Sequence, residues 1–328
     1  MTSVHDLRTP ALLLDASALE HNLRTMAEAL PGTRMRPHVK AHKCTALAKR
    51  QHEIGHTGFC AATPREIEGL AAAGLVDDLL LANETLDTKR LGALDARVTV
   101  AVDSQATIDA AAEGGVREVL IDVNVGLPRC GCRPEDAGAL ADAARRRGLE
   151  VRGVMGYEGH IVGIPERDQR EAGCHESMKL LAAAHADVGG EIVSAGGTGT
   201  YDCNDVATEI QAGLYALMDT AYSRLGLPFQ PALQLLVTVI SVSADWAVAD
   251  CGLKSLGMDH GNPEIEHGKV LFCSDEHVTF VPDEKVKVGD RLRVRPAHCD
   301  PTAAYHERYQ IVDGDRVVGT WPIDLRGW

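Results

Sequence analysis

Several features are missing from this sequence, and each absence argues against a class of protein. The chain has no uninterrupted apolar run of membrane-spanning length, and residues 1–10 contain neither the basic nor the apolar part of a secretory signal. Lysine and arginine form no long cluster, and the net charge is −14. Nucleic acids and anionic membrane surfaces attract such clusters, so both are disfavoured as partners. We therefore expect a cytoplasmic protein, and the charge balance leaves open a local site for a small anion.

The nine cysteines show no regular spacing and no Cys-x-x-Cys pair. An odd number of cysteines without a secretory signal indicates reduced thiols rather than a disulfide framework, and most are expected to be small core residues. Hydrophobic residues make up 45% of the 328 positions, which excludes a disordered or fibrous chain. A chain of this length can bury the core of one large domain and of a smaller one.

Short apolar segments alternate with amphipathic ones up to about residue 232. A helix with Ser17 as its N-cap follows the first predicted strand, and no Gly-x-Gly-x-x-Gly motif follows that strand. About eight such units predict parallel strands joined by helices, which fits a (β/α)8 TIM-like barrel better than an open sheet. Predicted strands cover residues 9–15, 57–62, 78–82, 98–102, 118–122, 151–157 and 192–195, and predicted helices cover residues 17–30, 45–54, 64–73, 104–113, 134–147 and 169–184.

The pattern changes after residue 232. Short strand-like runs separated by Gly, Pro, Asp and Asn turns then dominate, with little helical periodicity. We predict an α/β barrel over residues 16–232 and a second, mostly β domain formed by residues 1–15 and 233–328. The predicted strands of the second domain cover residues 234–243, 246–250, 266–272, 277–281, 291–296 and 316–322.

The segment Arg-Pro-His-Val-Lys-Ala-His-Lys at residues 36–43 concentrates nitrogen bases. On a strand, His38, Lys40 and His42 point to one face, because side chains alternate along it. A lysine that is partly desolvated beside other titratable groups is suited to form a Schiff base with a carbonyl. The alternative is a basic strand edge on a solvated surface, which this segment alone does not exclude.

Barrel enzymes carry their chemistry at the C-terminal ends of strands, and three later segments place polar residues there. Arg129 lies in a glycine-bracketed loop, and the run Gly-Tyr-Glu-Gly-His brings Tyr157 and His160 toward one centre. The run Ser-Ala-Gly-Gly-Thr-Gly-Thr-Tyr at residues 194–201 combines hydroxyl donors with glycines that let the backbone approach a phosphate. Their ordinary alternatives are a surface arginine, a structural histidine and a flexible loop.

In the predicted β domain, His298 and Asp300 are separated only by Cys299. An extended segment aims both side chains at one point and turns the cysteine away. An imidazole together with a carboxylate suits a divalent ion such as Mn²⁺ or Zn²⁺. Two ligands alone make a weak site, and an exposed turn is the alternative.

Taken in this order, the motifs resemble those of the D-threonine aldolase and D-serine dehydratase family. These are fold-type III pyridoxal 5′-phosphate (PLP) enzymes and relatives of alanine racemase. The likeness covers nearly the whole chain, including Asp-Cys-Gly-Leu-Lys at residues 250–254 and Trp-Pro-Ile-Asp-Leu-Arg-Gly at residues 321–327. The combination of motifs is specific, although no single motif is.

The resemblance implies a role for each residue that matches the family pattern. Lys40 is the implied Schiff-base lysine, Arg129 lies on the side of the cofactor's phenolic oxygen, and Tyr157 is a candidate partner for the ring nitrogen. His160 is the implied candidate for the catalytic base, with His38 and His42 behind it. The residues that match the phosphate cradle are Ser194, Gly197, Thr198 and Gly199.

The resemblance also implies a metal-assisted reaction. His298 and Asp300 match the family's metal pair, with Mn²⁺ favoured and Mg²⁺ or Zn²⁺ as alternatives. The dehydratase branch usually has a cysteine two residues after the histidine, whereas this chain has Asp300 there, as in the aldolase branch. The implied function is cleavage of a D-3-hydroxy amino acid such as D-threonine to glycine and an aldehyde.

Three other functions stay open. A dehydratase would eliminate water from D-serine or 3-hydroxy-D-aspartate and release ammonia. A racemase is weaker, because the metal-like pair replaces the tyrosine that alanine racemases present in the β domain. A non-catalytic PLP-binding protein is disfavoured, because such single-domain barrels lack the β domain. The family further suggests a homodimer in which the β domain of one subunit covers the barrel mouth of the other.

Overall fold

The computed structural model describes residues 3–328, which form two compact units. The barrel unit contains residues 26–40, 47–213 and 325–328, and the β unit contains residues 3–25, 41–46 and 214–324. The predicted fold class, a parallel α/β barrel with a separate mostly β domain, is confirmed. The predicted domain limits differ in detail from these units: residues 16–25, 41–46 and 214–232 lie in the β unit, and residues 325–328 lie in the barrel unit.

The first strand and helix of the chain are β1 (Ala11–Asp15) and α1 (Ala16–Ala29). Asp15, rather than the expected Ser17, caps this helix, since its carboxylate accepts a hydrogen bond from the Ala18 amide at 2.8 Å. The Ser17 hydroxyl donates to the same carboxylate at 2.7 Å. A carboxylate at the helix start satisfies an amide that has no partner within the helix.

Parallel strands of the barrel unit follow one another in chain order around the sheet. They are β2 (Gly58–Ala61), β3 (Asp78–Leu81), β4 (Val98–Val102), β5 (Glu118–Asp122), β6 (Glu150–Gly156), β7 (Ile192–Ala195) and β8 (Glu209–Ile210). Single parallel bridges, Met35 to Ile210 and His38 to Cys60, join residues 35–38 to β8 and to β2. This short segment therefore closes the ring in the place of an eighth strand, immediately before Lys40.

The barrel interior is a packed core. One buried cluster takes a side chain from each strand from β2 to β7, and these are Cys60, Leu80, Ala101, Leu120, Met155 and Ile192. Strands that are buried on both faces need continuous apolar runs, which explains sequences such as Val-Thr-Val-Ala-Val in β4. A filled interior leaves the C-terminal strand ends as the place for chemistry.

Helices follow the strands of the barrel as the periodicity predicts. They are α2 (Thr45–Glu53), α3 (Pro64–Ala72), α4 (Lys89–Gly92), α5 (Gln105–Glu113), α6 (Ala137–Arg146) and α7 (Arg167–Val188). Thr63 and Ser104 form capping boxes with Glu66 and Thr107, so α3 and α5 begin soon after the strands before them. Within residues 3–328, no helix combines the length and the apolar character needed to cross a lipid bilayer.

Buried ion pairs occupy the opposite, N-terminal end of the barrel. Arg36 donates to Glu209 at 2.7 Å and to Asp78 at 2.9 Å, and Arg152 donates to Asp78 at 2.7 Å. Burial would raise the pKa of the Asp78 carboxyl, but the hydrogen bond from Arg152 and the charge of Arg36 outweigh it and lower that pKa. These ion pairs lie away from the C-terminal strand ends, where barrel enzymes carry their chemistry, so we expect them to stabilise the barrel.

The β unit is built around a long strand, β9 (Leu233–Val242), which pairs with β1 and with three-residue β10 (Ala247–Ala249). The other strands are β11 (Glu264–Ile265), β12 (Gly268–Cys273), β13 (Val278–Pro282), β14 (Arg291–Arg295), β15 (Arg308–Asp313) and β16 (Arg316–Pro322). The sheet order is β10, β13, β12, β11, β14, β9, β1, β15, β16, and the pairing of β10 with β9 closes part of it into a ring. Two helices, α8 (Thr220–Ser223) and α9 (Cys299–Tyr305), belong to the same unit.

Candidate active site

Lys40 lies in a 3-10 helix, Val39–Ala41, directly after the closing segment of the barrel. The expected strand at this position is wrong, and His38, Lys40 and His42 share no strand face. Three residues complete one turn of a 3-10 helix, so alternate side chains no longer point to one side. The bridge between His38 and Cys60 ends the strand-like pairing just before the lysine.

Lys40 nevertheless meets two of the predicted cofactor residues within the barrel unit. Its ammonium nitrogen lies over the Tyr157 ring, 5.6 Å from the ring centroid. The Arg129 guanidinium carbon lies 5.4 Å from the same centroid. Tyr157 follows β6 directly and Arg129 lies in the loop after β5, so three separate strand ends place these side chains around one aromatic ring. Both cations are attracted by the electron-rich face of the ring.

His160 lies against the loop that carries Arg129. A Cβ atom built on Gly126 would come within 2.6 Å of the Cε1 atom of His160 and within 2.7 Å of its Nε2 atom. The backbone of Gly126 also has a positive φ of 129°, which favours glycine. The imidazole therefore fits only because this position lacks a side chain, and it stays exposed at the same end of the barrel.

The other two predicted histidines lie in different surroundings. His38 is buried in the barrel unit, and its Nδ1 atom accepts a hydrogen bond from the Lys40 amide at 3.4 Å. His42 belongs to the β unit and is fully buried. Its Nδ1 atom accepts from the Cys44 amide at 3.2 Å, and its carbonyl accepts from the Tyr309 hydroxyl at 2.7 Å. His42 therefore belongs to a different compact unit from His38 and Lys40, with which the strand pattern grouped it.

The glycine-rich loop at residues 196–200 follows β7 and is buried along its whole length. A Cβ atom on Gly199 would lie 1.8 Å from the Val162 carbonyl oxygen, so no side chain fits there. Gly197 and Thr198 lie in the same loop. The Ser194 hydroxyl points elsewhere, since it donates to Glu209 at 2.6 Å and accepts from Gln211 at 2.9 Å.

Glu158 forms hydrogen bonds to this loop. The sequence did not predict a role for it. Its carboxylate accepts from the Thr200 hydroxyl at 2.7 Å and from the Gly196 amide at 3.3 Å. The Thr200 hydroxyl oxygen also accepts from the Gly197 amide at 3.2 Å. Burial raises the pKa of Glu158, and the hydrogen bond from Thr200 offsets only part of that effect. The only signal in the sequence was its position inside the Gly-Tyr-Glu-Gly-His run.

These barrel residues fit PLP on structural grounds. The group contains a half-buried lysine amine, an aromatic ring, an arginine and a buried glycine loop that a single Cβ atom would obstruct. An amine can bind an aldehyde, and a glycine loop at a strand end can present backbone amides to a phosphate. The donor set therefore matches the functional groups of the cofactor.

In the β unit, His298 precedes α9 and Asp300 lies in the first turn of that helix. The expected extended segment is wrong here, because the chain turns into a helix at Cys299. The His298 Nε2 atom still lies 4.0 Å from the Asp300 Oδ1 atom. That oxygen is buried and has no hydrogen-bond partner among residues 3–328. An orphaned carboxylate oxygen beside an imidazole nitrogen fits a divalent metal ion.

Three further residues surround this pair, and sequence reasoning missed them. Asp259 contacts the Nδ1 atom of His298 at 2.8 Å, and the His260 ring stacks on the His298 ring with centroids 3.9 Å apart. Asp219 accepts from the Cys299 amide at 3.1 Å and so caps α9. Burial raises the pKa of Asp219 to about 6. Nothing in the spacing linked these residues to position 298.

The fold and these two residue groups define the class of the protein: an alanine racemase-like barrel with a β domain. The family described as "Alanine racemase, N-terminal domain" matches residues 14–221, and "Putative serine dehydratase domain" matches residues 232–312. The chain belongs to this family of alanine racemase-like enzymes, within the group that contains D-threonine aldolases and D-serine dehydratases. The resemblance predicted from sequence is confirmed.

Three relatives illustrate the similarity. A 3-hydroxy-D-aspartate aldolase of Paracoccus denitrificans is 32% identical over 98% of this chain and 93% of its own length. A D-threo-3-hydroxyaspartate dehydratase of Delftia sp. is 28% identical over 98% of each chain. The crystal structure of a D-threonine aldolase from Filomicrobium marinum superposes with a TM-score of 0.93 at 32% identity, covering 98% of this chain and 96% of that one.

Proposed function

We propose that the protein is a PLP- and divalent-metal-dependent aldolase that cleaves D-3-hydroxy amino acids, such as D-threonine, to glycine and an aldehyde. The proposal depends on one observation: a buried oxygen of Asp300, 4.0 Å from the Nε2 atom of His298, has no hydrogen-bond partner in the part of the chain that the structure describes. The pair offers one oxygen and one nitrogen donor. The similarity to a 3-hydroxy-D-aspartate aldolase and to a D-threonine aldolase structure supports the same reaction class.

Each barrel residue has a proposed task toward the cofactor. When bound, PLP supplies an electron sink for the Cα–Cβ bond that breaks. Lys40 would hold its aldehyde carbon, Arg129 would face its phenolic oxygen, and Tyr157 would contact its ring. The loop that contains Gly197, Thr198 and Gly199 would hold the phosphate. Ser194 would contribute only through its backbone, because its hydroxyl is engaged by Glu209 and Gln211.

We propose His160 as the base that removes the proton of the substrate's 3-hydroxyl. Its ring is exposed at the end of the barrel where Lys40 and Arg129 lie, whereas His42 is fully buried in the β unit. The Nδ1 atom of His38 already accepts from the Lys40 amide. A base must be reachable by substrate before its pKa matters, and His160 meets that condition best.

His298 and Asp300 would bind the metal ion, which acidifies a coordinated hydroxyl group. We propose Mn²⁺, with Mg²⁺ and Zn²⁺ as alternatives, because the pair combines a hard oxygen with a borderline nitrogen. We further propose a homodimer in the reducing cytoplasm. Exposed Trp246, Leu271 and Phe272 on the β unit support an interface, and the free thiols of all nine cysteines, each within the described residues, support a reducing compartment.

The lysine assignment is tested by reconstituting the protein with PLP and recording the absorbance of the Schiff base. Lys40→Ala should abolish that absorbance and the cleavage of D-threonine, because no amine then lies over Tyr157. Lys43→Ala is the matched control, since it removes a neighbouring lysine and should leave the absorbance intact. Cleavage that survives in Lys40→Ala would refute the assignment.

The reaction itself is tested with a panel of D-3-hydroxy amino acids in the presence of PLP and Mn²⁺. Glycine and aldehyde in equal amounts are expected, and removal of the metal with a chelator should stop their formation. The second candidate function is dehydration, which the similarity to the Delftia dehydratase supports. Ammonia and a keto acid without glycine would establish that reaction instead.

A further inference from the structure

Each of the two ring nitrogens of His298 faces a different carboxylate. Nδ1 lies 2.9 Å and 2.8 Å from the two oxygens of Asp259, whereas Nε2 lies 4.0 Å from the nearest oxygen of Asp300. The shorter distances are those of a charge-assisted hydrogen bond. The longer one exceeds any hydrogen bond and leaves the Nε2 side open to an ion.

Contact with Asp259 determines which nitrogen carries the proton. An ionised carboxylate only accepts hydrogen bonds, so the Nδ1 atom of His298 must be the donor. In the neutral imidazole, the Nε2 atom then keeps its lone pair and points it toward Asp300. A metal-binding histidine commonly donates its other nitrogen to a carboxylate in this way, which fixes the ring and raises its basicity.

The loop that carries Asp259 is tied to the start of α9 by several contacts. Gly257 forms an isolated antiparallel bridge with His298, and its amide donates to the Thr302 hydroxyl at 2.9 Å. The Thr302 hydroxyl donates in turn to the His298 carbonyl at 2.6 Å. A Cβ atom on Gly257 would lie 2.3 Å from Pro301, so the two segments approach closely. Asp259 is therefore held beside His298 by the backbone, not only by its own side chain.

His260 offers a competing interpretation, in which it is an additional metal ligand. Ligand atoms of Asp259, His260 and His298 all lie within 4.8 Å of one another. The two imidazoles, however, are stacked, with an interplanar angle of 11° and centroids 3.9 Å apart. Nitrogen lone pairs lie in the ring plane, so the lone pairs of two stacked rings lie in separate, nearly parallel planes and do not converge on one ion. His260 therefore packs on the face of His298.

We propose that Asp259 is a positioning residue for the metal ligand His298: it holds the imidazole so that Nε2 faces Asp300, while His260 restrains the plane of the ring. The inference rests on the proposed metal pair, His298 and Asp300. It adds Asp259 and His260, which lie in a loop far from that pair in the sequence. Asp259 touches neither substrate nor cofactor in this assignment, because its carboxylate acts through the histidine.

Metal affinity, measured without turnover, tests the proposal. The full-length protein is stripped with a chelator, and Mn²⁺ binding is measured by calorimetry and by the electron paramagnetic resonance signal of free Mn²⁺. Asp259→Ala should weaken the affinity by about 10- to 100-fold. Asp259→Asn should lose less, because its side-chain oxygen still accepts from Nδ1. His260→Phe keeps a stacked ring and should bind Mn²⁺ nearly as well as the wild type.

The outcomes distinguish a failure of the positioning role of Asp259 from a failure of the proposed metal site. An unchanged Mn²⁺ affinity in Asp259→Ala overturns the positioning role alone, and equal losses in the Asn and Ala variants overturn it in favour of direct coordination. Loss of binding in His260→Phe makes His260 a ligand and overturns the assignment. A wild-type protein that binds none of Mn²⁺, Mg²⁺ and Zn²⁺ refutes the proposed function and the inference with it. Circular dichroism checks that each variant is folded, which the exposed position of Asp259 favours.

Discussion

Replacement of Glu158 should loosen the loop that we assign to the cofactor phosphate. The side chain is fully buried, and its two oxygens accept from the Thr200 hydroxyl and the Gly196 amide. Alanine leaves both donors without an acceptor in a site that water does not reach. The loop at residues 196–200 should then lose its fixed shape, and PLP should bind more weakly.

The size of the effect follows from the two donors. Each buried group that loses its partner costs about 1–3 kcal/mol, so Glu158→Ala should lower the free energy of unfolding by about 2–6 kcal/mol. Glu158→Gln keeps the volume and one acceptor oxygen and should cost about 1 kcal/mol. Glu166→Ala is the matched control, because Glu166 is exposed and its side chain makes no capping hydrogen bond within residues 3–328.

The pH dependence provides a second measurement with a definite sign. Burial raises the pKa of Glu158 above its ordinary value of 4.5. The folded protein then holds the proton of Glu158 more tightly than the unfolded chain does. The resulting stabilisation of the folded state is fully present below about pH 4.5 and is lost as the pH rises through the raised pKa. Glutamine cannot ionise. The stability of the wild type relative to Glu158→Gln should therefore decline as the pH rises from 4.5 toward neutrality.

Urea denaturation across this pH range, with a PLP titration followed by absorbance at each pH, measures both effects. An unfolding free energy of Glu158→Ala equal to that of Glu166→Ala would refute the role given to the two hydrogen bonds. A lower stability with an unchanged PLP affinity would show that the loop does not hold the phosphate. A pH-independent difference between wild type and Glu158→Gln would contradict the raised pKa.

Two further predictions concern the barrel. Arg152→Met should lower the unfolding free energy by about 2–3 kcal/mol at neutral pH, because it removes one partner of the half-buried Asp78 carboxylate. Burial would raise the pKa of Asp78, but the hydrogen bond from Arg152 and the charge of Arg36 together outweigh it and lower that pKa. The stabilisation from Arg152 should therefore be present above about pH 3.8 and fade as the pH falls below that value. Urea denaturation of both proteins across this range measures it, and a difference that does not change with pH would contradict it. Gly199→Ala should weaken PLP binding, because the new Cβ atom meets the Val162 carbonyl oxygen at 1.8 Å; an unchanged dissociation constant in an absorbance titration would count against the cradle.

Regular elements of the barrel were predictable because they depend on local patterns. Parallel strands that are buried on both faces need continuous apolar runs, and the predicted strands at residues 98–102, 118–122 and 192–195 match the observed bounds. The helices α3 and α5 were also predicted, because the Thr or Ser residue that caps each one is part of a local sequence pattern. The sequence also indicated the correct family, since its motifs lie at the strand ends where a barrel brings them together.

What sequence reasoning missed depends on contacts between distant residues. The strand at residues 308–313 was not predicted, although it pairs with β1 and β16 in the β unit. Asp259 and His298 are 39 residues apart, and only the folded chain brings them within hydrogen-bond distance. The 3-10 turn at Lys40 was missed because bases at alternate positions also fit a strand. Buried Glu158 was missed because a carboxylate inside an apolar barrel needs partners that the sequence does not reveal.

The choice between aldol cleavage and elimination of water rests on the chemistry available at position 300. A thiolate is the form of cysteine that binds metals, and Cys299 is fully buried with its pKa raised well above the ordinary value by that burial. Its amide is also engaged by Asp219 in capping α9. The resemblance places the sulfur ligand of the dehydratase branch two residues after the histidine, and in this chain that position holds Asp300, whereas Cys299 is adjacent to the histidine and fully buried. The available donor is the oxygen of Asp300, and an oxygen beside an imidazole accepts hard ions such as Mn²⁺ that a thiolate site would disfavour.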